Sequence, residues 1–276
     1  MVNRKTVSRA IAWILLTCAL VWALFPIAFL VVSSLKMPKD IFVFPPRFVF
    51  LPTAINYHNL FTKHPQFLAG LMNSSVITLL ATLIALAVSI PAGYVFSRYR
   101  SRALRLSAFF TVAIRMLPPI VITIPLFPLF HSLGLFDQHI TLAILYATFF
   151  VSLLSWIMKA FIDTIPKEIE EAALVDGCTK FQVLTKIMLP LATPGIFTAS
   201  VFVITFSWNE FLFAFLFTGT KSRTAPIVIS ELMGGFYGVE WGMVFAASVV
   251  QLIPILIFTW ATSRLVQRGL TIGALK

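Results

Sequence analysis

Few side chains in the apolar segments of this 276-residue sequence are able to do chemistry, and they lie far apart. Arg115, Asp163 and Glu210 fall in three different apolar segments, with no histidine near any of them in sequence. An enzyme working inside a membrane needs a nucleophile, an acid–base pair or a metal site. The spacing therefore argues against catalysis, and a membrane-embedded enzyme is kept only as the alternative from another function class.

Nucleotide and metal sites are disfavoured by the same kind of argument. The phosphate-binding pattern Gly-x-x-x-x-Gly-Lys-Ser/Thr does not occur in the sequence. Cys18 and Cys178 stand in different surroundings, and the 4 histidines show no ligand spacing. We expect no catalytic residue, no metal site and no cofactor in this chain.

The tripeptide Trp208-Asn209-Glu210 places polar groups within an apolar segment. Asn and Glu offer hydrogen-bonding groups and Trp a flat apolar face, which suit the hydroxyls and ring faces of a sugar. The same groups can also join helices or two subunits. We expect a substrate path or a subunit interface here, and Gln251 is a weaker candidate for either role.

Two prolines and an arginine mark a second irregular place. Pro118 and Pro119 lack N–H groups and should kink the third span, which leaves carbonyl oxygens that must face protein or water. Arg115 precedes them, and an isolated charge at membrane depth costs about 2.5–3.5 kcal/mol on insertion scales. We expect Arg115 to face the helix bundle or a partner subunit in a gating or interface role; the alternative is a structural arginine that snorkels to the surface.

A polar stretch between two apolar segments predicts two short helices joined by a turn. Pro166 suits a first helical turn, and the glutamates after it complement the positive helix N-terminus. Gly177 should end the first helix, Thr179 should begin the second with a capping box, and Pro190 should stop it. We call residues 167–191 the knob. The simpler alternative is an ordinary helical hairpin between two membrane spans.

The composition is that of a membrane protein. The chain is 59% hydrophobic and 11% charged, with 28 Phe, whereas soluble domains are about 45–50% apolar and about 25% charged. About 20 apolar residues cover the hydrocarbon thickness, which predicts an all-α protein with six transmembrane helices. The six predicted spans are Ala10 to Val32, Leu68 to Phe96, Leu106 to Phe130, Ile140 to Phe161, Ile196 to Phe217, and Met243 to Ser263.

The distribution of basic residues predicts the orientation. With the N-terminus in the cytoplasm, the inner segments hold 14 Lys and Arg and the outer segments 6, so both termini are expected inside. The first apolar run exceeds the 7–15 residues of a signal h-region and is expected to remain as an anchor. The net charge of +11 lies beside the spans, where it faces anionic lipid rather than nucleic acid.

The knob resembles the cytoplasmic coupling loop of inner-membrane permease subunits of ATP-binding-cassette importers. Glu171-Ala172-Ala173, Gly177 and Ile187-x-Leu189-Pro190 match the pattern of that loop. The resemblance runs from about Met72 to the C-terminus and is nearest to the maltose-type carbohydrate permeases. It is carried further by Leu133-Gly134-Leu135, Ile165-Pro166-x-Glu168-x-Glu170-Glu171, Trp208-Asn209-Glu210-Phe211 and Arg268-Gly269-Leu270-Thr271-x-Gly273-Ala274-Leu275-Lys276.

The resemblance implies a type I importer permease fold with a cytoplasmic coupling helix. It implies a complex with a second permease chain, giving a heterodimer, two ATPase chains that bind ATP and Mg²⁺, and an external sugar-binding protein. Glu171 would pair with an ATPase cation, Ala172 and Ala173 would pack closely, and Gly177 would allow the turn. The further coupling residues are Asp176, Ile187, Leu189 and Pro190, and the tail Gly273-Ala274-Leu275-Lys276 would reach between the ATPase chains.

These observations together predict a permease subunit, and not an enzyme, in the cytoplasmic membrane of a bacterium or archaeon. We expect a first region at 1–67 with the N-terminal tail, first helix and outer segment. The transmembrane domain at 68–266 would hold five helices and the coupling loop 164–195, and 267–276 would be a cytoplasmic tail. A sugar is the expected cargo. A non-sugar solute such as glycerol phosphate is the alternative, because the sequence does not name the sugar.

Overall fold

The computed structural model describes residues 4–47, 49–234 and 238–273, and the regular structure in those ranges is helical throughout. A short 3₁₀ turn, Pro38–Asp40, follows the first helix, and a π-helical stretch, Val183–Met188, lies inside the knob. The α-helices are α1 Arg4–Ser34, α2 Ile55–Lys63, α3 Gln66–Arg98, α4 Arg102–Arg115, α5 Pro119–Ser132, α6 His139–Asp163, α7 Lys167–Val175, α8 Lys180–Gln182, α9 Leu189–Leu191, α10 Thr193–Asn209, α11 Leu212–Phe217, α12 Ala225–Leu232 and α13 Trp241–Gly273.

Within the described ranges, four helical stretches are long and apolar enough to cross a membrane: Ile11–Ser34, Gln66–Arg98, His139–Asp163 and Trp241–Thr262. Two further stretches qualify only as bent pairs. Arg102–Arg115 and Pro119–Ser132 meet at 93°, and Lys180–Leu191 and Thr193–Asn209 meet at 76°. The chain thus has four spans, or up to six if each bent pair counts as one, which agrees with the prediction of an all-α membrane protein.

The third predicted span differs from the sequence-based expectation of a kinked helix. The helix ends at Arg115 and restarts at Pro119, with Pro118 in an extended conformation at φ −57° and ψ 132°. A residue before proline is disfavoured in the helical region, and neither proline can donate to the preceding turn. The consecutive pair therefore breaks the helix completely.

The fifth predicted span also departs from one continuous helix. Helix α10 begins at Thr193 and ends at Asn209, Glu210 has the extended values φ −70° and ψ 133°, and α11 then runs over six residues. The polar tripeptide therefore lies at a helix break, where backbone groups need partners other than the regular i to i−4 bonds.

The residues group into two compact units. The first contains the described residues up to Phe67 together with Ile229–Ile253. Within it, the amide of Asn56 donates to the carbonyl oxygens of Ser34 and Lys36, each at 2.7 Å, and so fixes the chain after α1. Every described side chain from Ile11 to Phe29 is exposed, so this apolar stretch of α1 has little cover from its own chain.

The second unit contains Leu68–Val228 and Pro254–Lys276, of which the structure describes the residues up to 273. Its core is built around α6, where Leu142, Tyr146 and Leu154 have no exposed surface. Gly93 on α3 permits a close approach, since a Cβ there would lie 2.6 Å from the Cβ of Met158. Helix α3 is thereby packed tightly on α6 beside the knob.

Candidate functional site

The first half of the knob is a short amphipathic helix. Pro166 occupies the N-cap position and Lys167 begins α7, so the proline precedes the first turn instead of lying in it. Glu168 and Glu170 are in that first turn, where negative charge interacts favourably with the helix N-terminus.

Gly177 turns the chain, as its sequence position predicts. Its φ is +88°, a conformation that side-chain-bearing residues rarely adopt. The N–H of Gly177 donates to Leu174 O at 3.1 Å, and the N–H of Cys178 donates to Ala173 O at 3.0 Å. This is the Schellman arrangement, and it satisfies carbonyl groups that the end of α7 leaves free.

The second half begins with the predicted capping box. The backbone N–H of Gln182 donates to Thr179 Oγ1 at 3.3 Å, and the N–H of Thr179 donates to Gln182 Oε1 at 2.8 Å. The helical stretch that begins at Lys180 continues through the π-helical segment and ends at Leu191, one residue after Pro190. The prediction that Pro190 stops this helix is confirmed.

A buried ion pair fastens the knob to α3. Arg98 Nε donates to Glu170 Oε2 at 2.9 Å, and the two side chains are 7% and 14% exposed. The hydroxyl of Tyr94 donates to the other oxygen of Glu170. A second guanidinium nitrogen of Arg98 donates to the carbonyl oxygen of Ile165 at 2.8 Å. Two residues of α3 thus hold the first turn of α7 and the residue before Pro166. We call Tyr94, Arg98 and Glu170 the clamp.

Sequence reasoning missed the clamp because it singled out Glu171. Glu171 is exposed, whereas Glu170 lies three residues before buried Ala173 and so shares its helix face. The three-residue spacing between Glu170 and Ala173 was the signal in the sequence that could have placed Glu170 on the buried face. Arg98 is 72 positions from Glu170 and no local pattern connects them.

The opposite side of the knob is free for a partner. Val175 is 88% exposed and Phe181 73% exposed, on either side of the turn. Ala173 packs into the core of its own chain and Ile187 is half-buried against it. The exposed residues among those predicted to couple are Glu171, Ala172, Asp176, Gly177, Leu189 and Pro190.

Glu210 closes the break between α10 and α11. Its carboxylate accepts the N–H groups of Phe213 at 2.9 Å and Ala214 at 3.2 Å, so it caps α11. The amide of Asn209 donates to Thr205 O at 2.8 Å on its own helix. Two members of the tripeptide therefore stabilise local backbone, a role that sequence reasoning did not assign to them.

Trp208 is buried and lines a cavity of about 200 Å³. Ser75 and Thr78 of α3 and Pro254 of α13 also line this cavity. The remaining lining residues are apolar, and the hydroxyl of Ser75 already donates to the carbonyl oxygen of Leu71 at 2.8 Å, so the cavity is mainly apolar. Gln251 is half-buried in α13.

Arg115 lies at the end of α4, immediately before the break at Pro118 and Pro119. Its guanidinium carbon is 5.3 Å from the ring centre of Phe149 and 5.7 Å from that of Phe150, both on α6. Cation–π contacts of this kind stabilise a cation where water is scarce. Arg115 therefore lies against α6 in this chain, and its gating, interface or snorkelling role stays a prediction.

The predicted C-terminal tail lies mostly outside the described residues. Gly273 is the final residue of α13, and Ala274, Leu275 and Lys276 lie outside the described residues. Within the described ranges, no group of three His, Cys, Asp or Glu side chains is arranged to hold a metal ion.

Comparison with known proteins identifies the family. The model for the binding-protein-dependent transport system inner membrane component matches residues 85–269, about two thirds of the chain. The chain belongs to this family. The trehalose transport permease SugB of Mycobacterium tuberculosis is 35% identical, over 97% of this chain and 98% of that protein. The trehalose/maltose permease MalG of Thermococcus litoralis is 33% identical, over 92% and 91% of the two chains.

The fold agrees with this assignment. A bacterial ABC transporter involved in the import of the acidic polysaccharide alginate contains a chain that superposes with a TM-score of 0.79 at 21% identity. The superposition covers 96% of this chain and 98% of that one. This is the fold of ABC importer permeases, as the resemblance implied, and the chain is a multi-pass inner-membrane transport component.

A second polar cluster in the permease, between α5 and α6, was also missed by sequence reasoning. Asp137 has φ +58° and accepts the N–H groups of Gly219, Thr220, Lys221 and Ser222, as well as the hydroxyl of Ser222. Burial acts to raise the pKa of Asp137, but these donors outweigh it and hold that pKa well below its usual value. Asp137 is therefore ionised at neutral pH and fixes the loop after α11.

Replacement of Glu210 by Gln tests the helix break in the permease. The amide oxygen can accept one of the two N–H groups, but the charge is lost, and a hydrogen bond to a charged group contributes about 1.5–3 kcal/mol. We expect Glu210→Gln to reduce substrate uptake several-fold while the complex still assembles. Glu240→Gln is the matched control, because its ion pair with Lys63 is exposed at 3.6 Å and contributes little. Equal uptake in the two variants would show that the break does not need a carboxylate.

Proposed function

We propose that this permease is the membrane subunit of an ATP-driven carbohydrate importer and that its knob is the coupling element. The observation that carries the proposal is a knob with one face buried and clamped and the other exposed. Glu171, Asp176 and Gly177 lie on the exposed side. An element held rigidly at its root and free at its tip is suited to pass motion from a partner to the spans.

Two ATPase chains supply the energy and bind ATP and Mg²⁺. Glu171 pairs with an ATPase cation, Ala172 packs against the ATPase, and Asp176, Leu189 and Pro190 border the contact. Ala173 and Ile187 support it from within the knob. The tail at Gly273, Ala274, Leu275 and Lys276 gives each ATPase a second contact.

The remaining partners are a second permease chain and an external sugar-binding protein. The apolar stretch Ile11–Phe29 is exposed in this chain, so it contacts either lipid or the second permease. We propose that the two permeases form a heterodimer. In this chain, residues 68–266 form the transmembrane domain, with 1–67 and 267–276 as flanking regions.

Transport follows by alternating access. Closure of the ATPase pair moves the knobs, and the spans rock between inward-open and outward-open states. The breaks at Pro118-Pro119 and at Glu210 are where the helices are already interrupted, so they are suited to act as hinges. Arg115 is beside the first break and serves as a gating or interface residue.

The cargo is a carbohydrate. Similarity to permeases named for trehalose and maltose supports this class. Trp208 offers a flat apolar face of the kind that packs on a sugar ring. Asn209, Glu210 and Gln251 are further candidates for the substrate path or the subunit interface. The alternative is a non-sugar solute such as glycerol phosphate on the same scaffold.

The orientation follows from the basic residues, with both termini in the cytoplasm of a bacterium or archaeon. We expect single cysteines placed at Arg102 and Lys180 to be shielded from an impermeant thiol reagent in intact cells, while one at Lys221 reacts. Opening the cells should make all three reactive. Labelling of the Lys180 position from outside would overturn this topology.

Co-purification tests the proposed function. A tagged chain extracted in mild detergent should bring down a second permease and an ATPase, and added sugar-bound binding protein should stimulate ATP hydrolysis. Isolation of a chain without any ATPase, but with a chemical activity of its own, would support the membrane-enzyme alternative instead.

A further inference from the structure

A wide cleft lies where α3 ends and α4 begins. Its volume is about 990 Å³, and Phe96, Tyr99 and the root of the knob at Ile165–Glu168 form part of its walls. Six basic side chains line it, against two acidic ones, Asp163 and Glu168. The basic residues are Arg98, Arg100, Arg102, Arg105, Lys159 and Lys167.

Four of these cations, Arg100, Arg102, Arg105 and Lys167, have no counter-charge within the described part of the chain. Arg98 is engaged in the clamp, and Lys159 pairs with Asp163 at 2.5 Å. The side chains of the other four make no hydrogen bond or ion pair with another described residue. The cleft therefore carries an unneutralised positive charge.

Helix α4 adds to that charge. Its 14 residues begin at the cleft, where Ser101 Oγ accepts the N–H of Leu104 at 3.1 Å. The first turn contains no acidic residue to offset the positive helix N-terminus. A cleft with three free arginines at a helix N-terminus is suited to bind a phosphate group.

An apolar groove opens directly from the cleft. It has a volume of about 380 Å³ and runs between α4 and α6, past Leu104, Ala108, Phe109, Val112 and Trp156. The groove and the cleft share four lining residues, which are Phe96, Tyr99, Arg105 and Lys159. Tyr99 thus stands between the polar and apolar spaces and Trp156 lies in the apolar one. Both are aromatic residues of the kind that is enriched at a membrane surface.

We propose that this pair of spaces is a binding site for an anionic phospholipid of the cytoplasmic leaflet. The phosphate and the anionic headgroup lie among Arg100, Arg102 and Arg105, and one acyl chain lies in the groove beside Trp156. A soluble phosphate would fill only the cleft and leave the groove empty. The site rests on the proposed orientation of the permease, and its lipid braces the root of the knob at Ile165–Lys167.

The test uses bromine quenching of tryptophan fluorescence in the full chain. A variant that retains Trp156, with the other five Trp changed to Phe, is placed in nanodiscs containing acyl-brominated phosphatidylglycerol or phosphatidylcholine. We expect quenching to saturate at a much lower fraction of brominated phosphatidylglycerol than of brominated phosphatidylcholine.

The triple change Arg100→Gln, Arg102→Gln and Arg105→Gln should weaken this preference for the anionic lipid about fivefold per arginine, roughly a hundredfold in total. The charge-matched control is Arg4→Gln, Lys5→Gln and Arg9→Gln.

Several results would overturn the site. Equal losses in the two triple variants would mean that general surface charge attracts the lipid. Full competition by inorganic phosphate would mean a soluble anion site.

Native mass spectrometry of the complex with unmodified tryptophans gives a second measurement, in which phosphatidylglycerol should be retained. Loss of that lipid when the ATPase binds would contradict the site, because it would show that the ATPase occupies the cleft. Co-purification of the ATPase is a separate measurement and reports on the proposed function alone.

Discussion

Gly177→Asp should leave the permease in the membrane but unable to retain its ATPase or to transport. No heavy atom of the chain lies within 4 Å of a Cβ built at Gly177, so the new side chain does not disturb the spans. In the proposed contact it carries a charge into a protein groove next to Asp176. A buried unpaired charge costs several kcal/mol, and each 1.4 kcal/mol is about a tenfold loss of affinity.

Gly177→Asn is the matched control, because asparagine has nearly the same shape, tolerates positive φ and carries no charge. We expect Gly177→Asn to retain more ATPase than Gly177→Asp. The amount retained by Glu171→Ala should lie between that of Gly177→Asn and that of wild type. ATPase retention on the tagged complex and substrate-stimulated ATP hydrolysis are the measurements. The coupling role is falsified if Gly177→Asp matches wild type in both.

Glu170→Ala should uncouple the transporter by a different route. It leaves the guanidinium of Arg98 buried without its carboxylate, and breaking a buried pair costs about 3–5 kcal/mol. The root of the knob then loses its attachment to α3, while the exposed face that the ATPase contacts is unaltered. We expect ATPase to stay bound and to hydrolyse ATP, with little uptake and a lowered melting temperature.

Glu168→Ala makes the same chemical change two residues earlier, at an exposed side chain that accepts no hydrogen bond from another described residue. It removes a favourable charge of about 0.3–1 kcal/mol from the first turn of α7, so it should melt slightly below wild type and far above Glu170→Ala, and should transport like wild type. Tyr94→Phe removes one donor to Glu170 and should show a milder form of the Glu170→Ala defect. A Glu170→Ala complex with normal uptake and normal melting would show that the clamp does not transmit motion.

The local parts of the knob were predictable from sequence because their causes are local. The capping box joins Thr179 and Gln182, three residues apart, and the turn needs a residue that accepts φ +88°, as Gly177 does. The π-helical stretch Val183–Met188 was not predicted, because a one-dimensional pattern contains no signal for its shift in hydrogen-bond register.

The contacts between distant segments were not predictable in this way. Glu170 and Arg98 are 72 positions apart, and Asp137 binds a loop more than 80 positions away. Each pairing depends on how α3, α6 and α10 pack, which depends on small residues at close approaches such as Gly93. Glu210 shows the same limit, because its sequence suggested a substrate path or a subunit interface and its geometry shows a helix cap.

The most direct test of the coupling claim is a photo-reactive amino acid at Val175, the most exposed apolar side chain on the knob. In the assembled transporter it should cross-link to the ATPase in high yield, and the yield should change when ATP closes the ATPase pair. The same group at Trp13, on exposed α1, should not reach the ATPase. Cross-links from Val175 only to lipid or to the second permease, with none to the ATPase, would contradict the account.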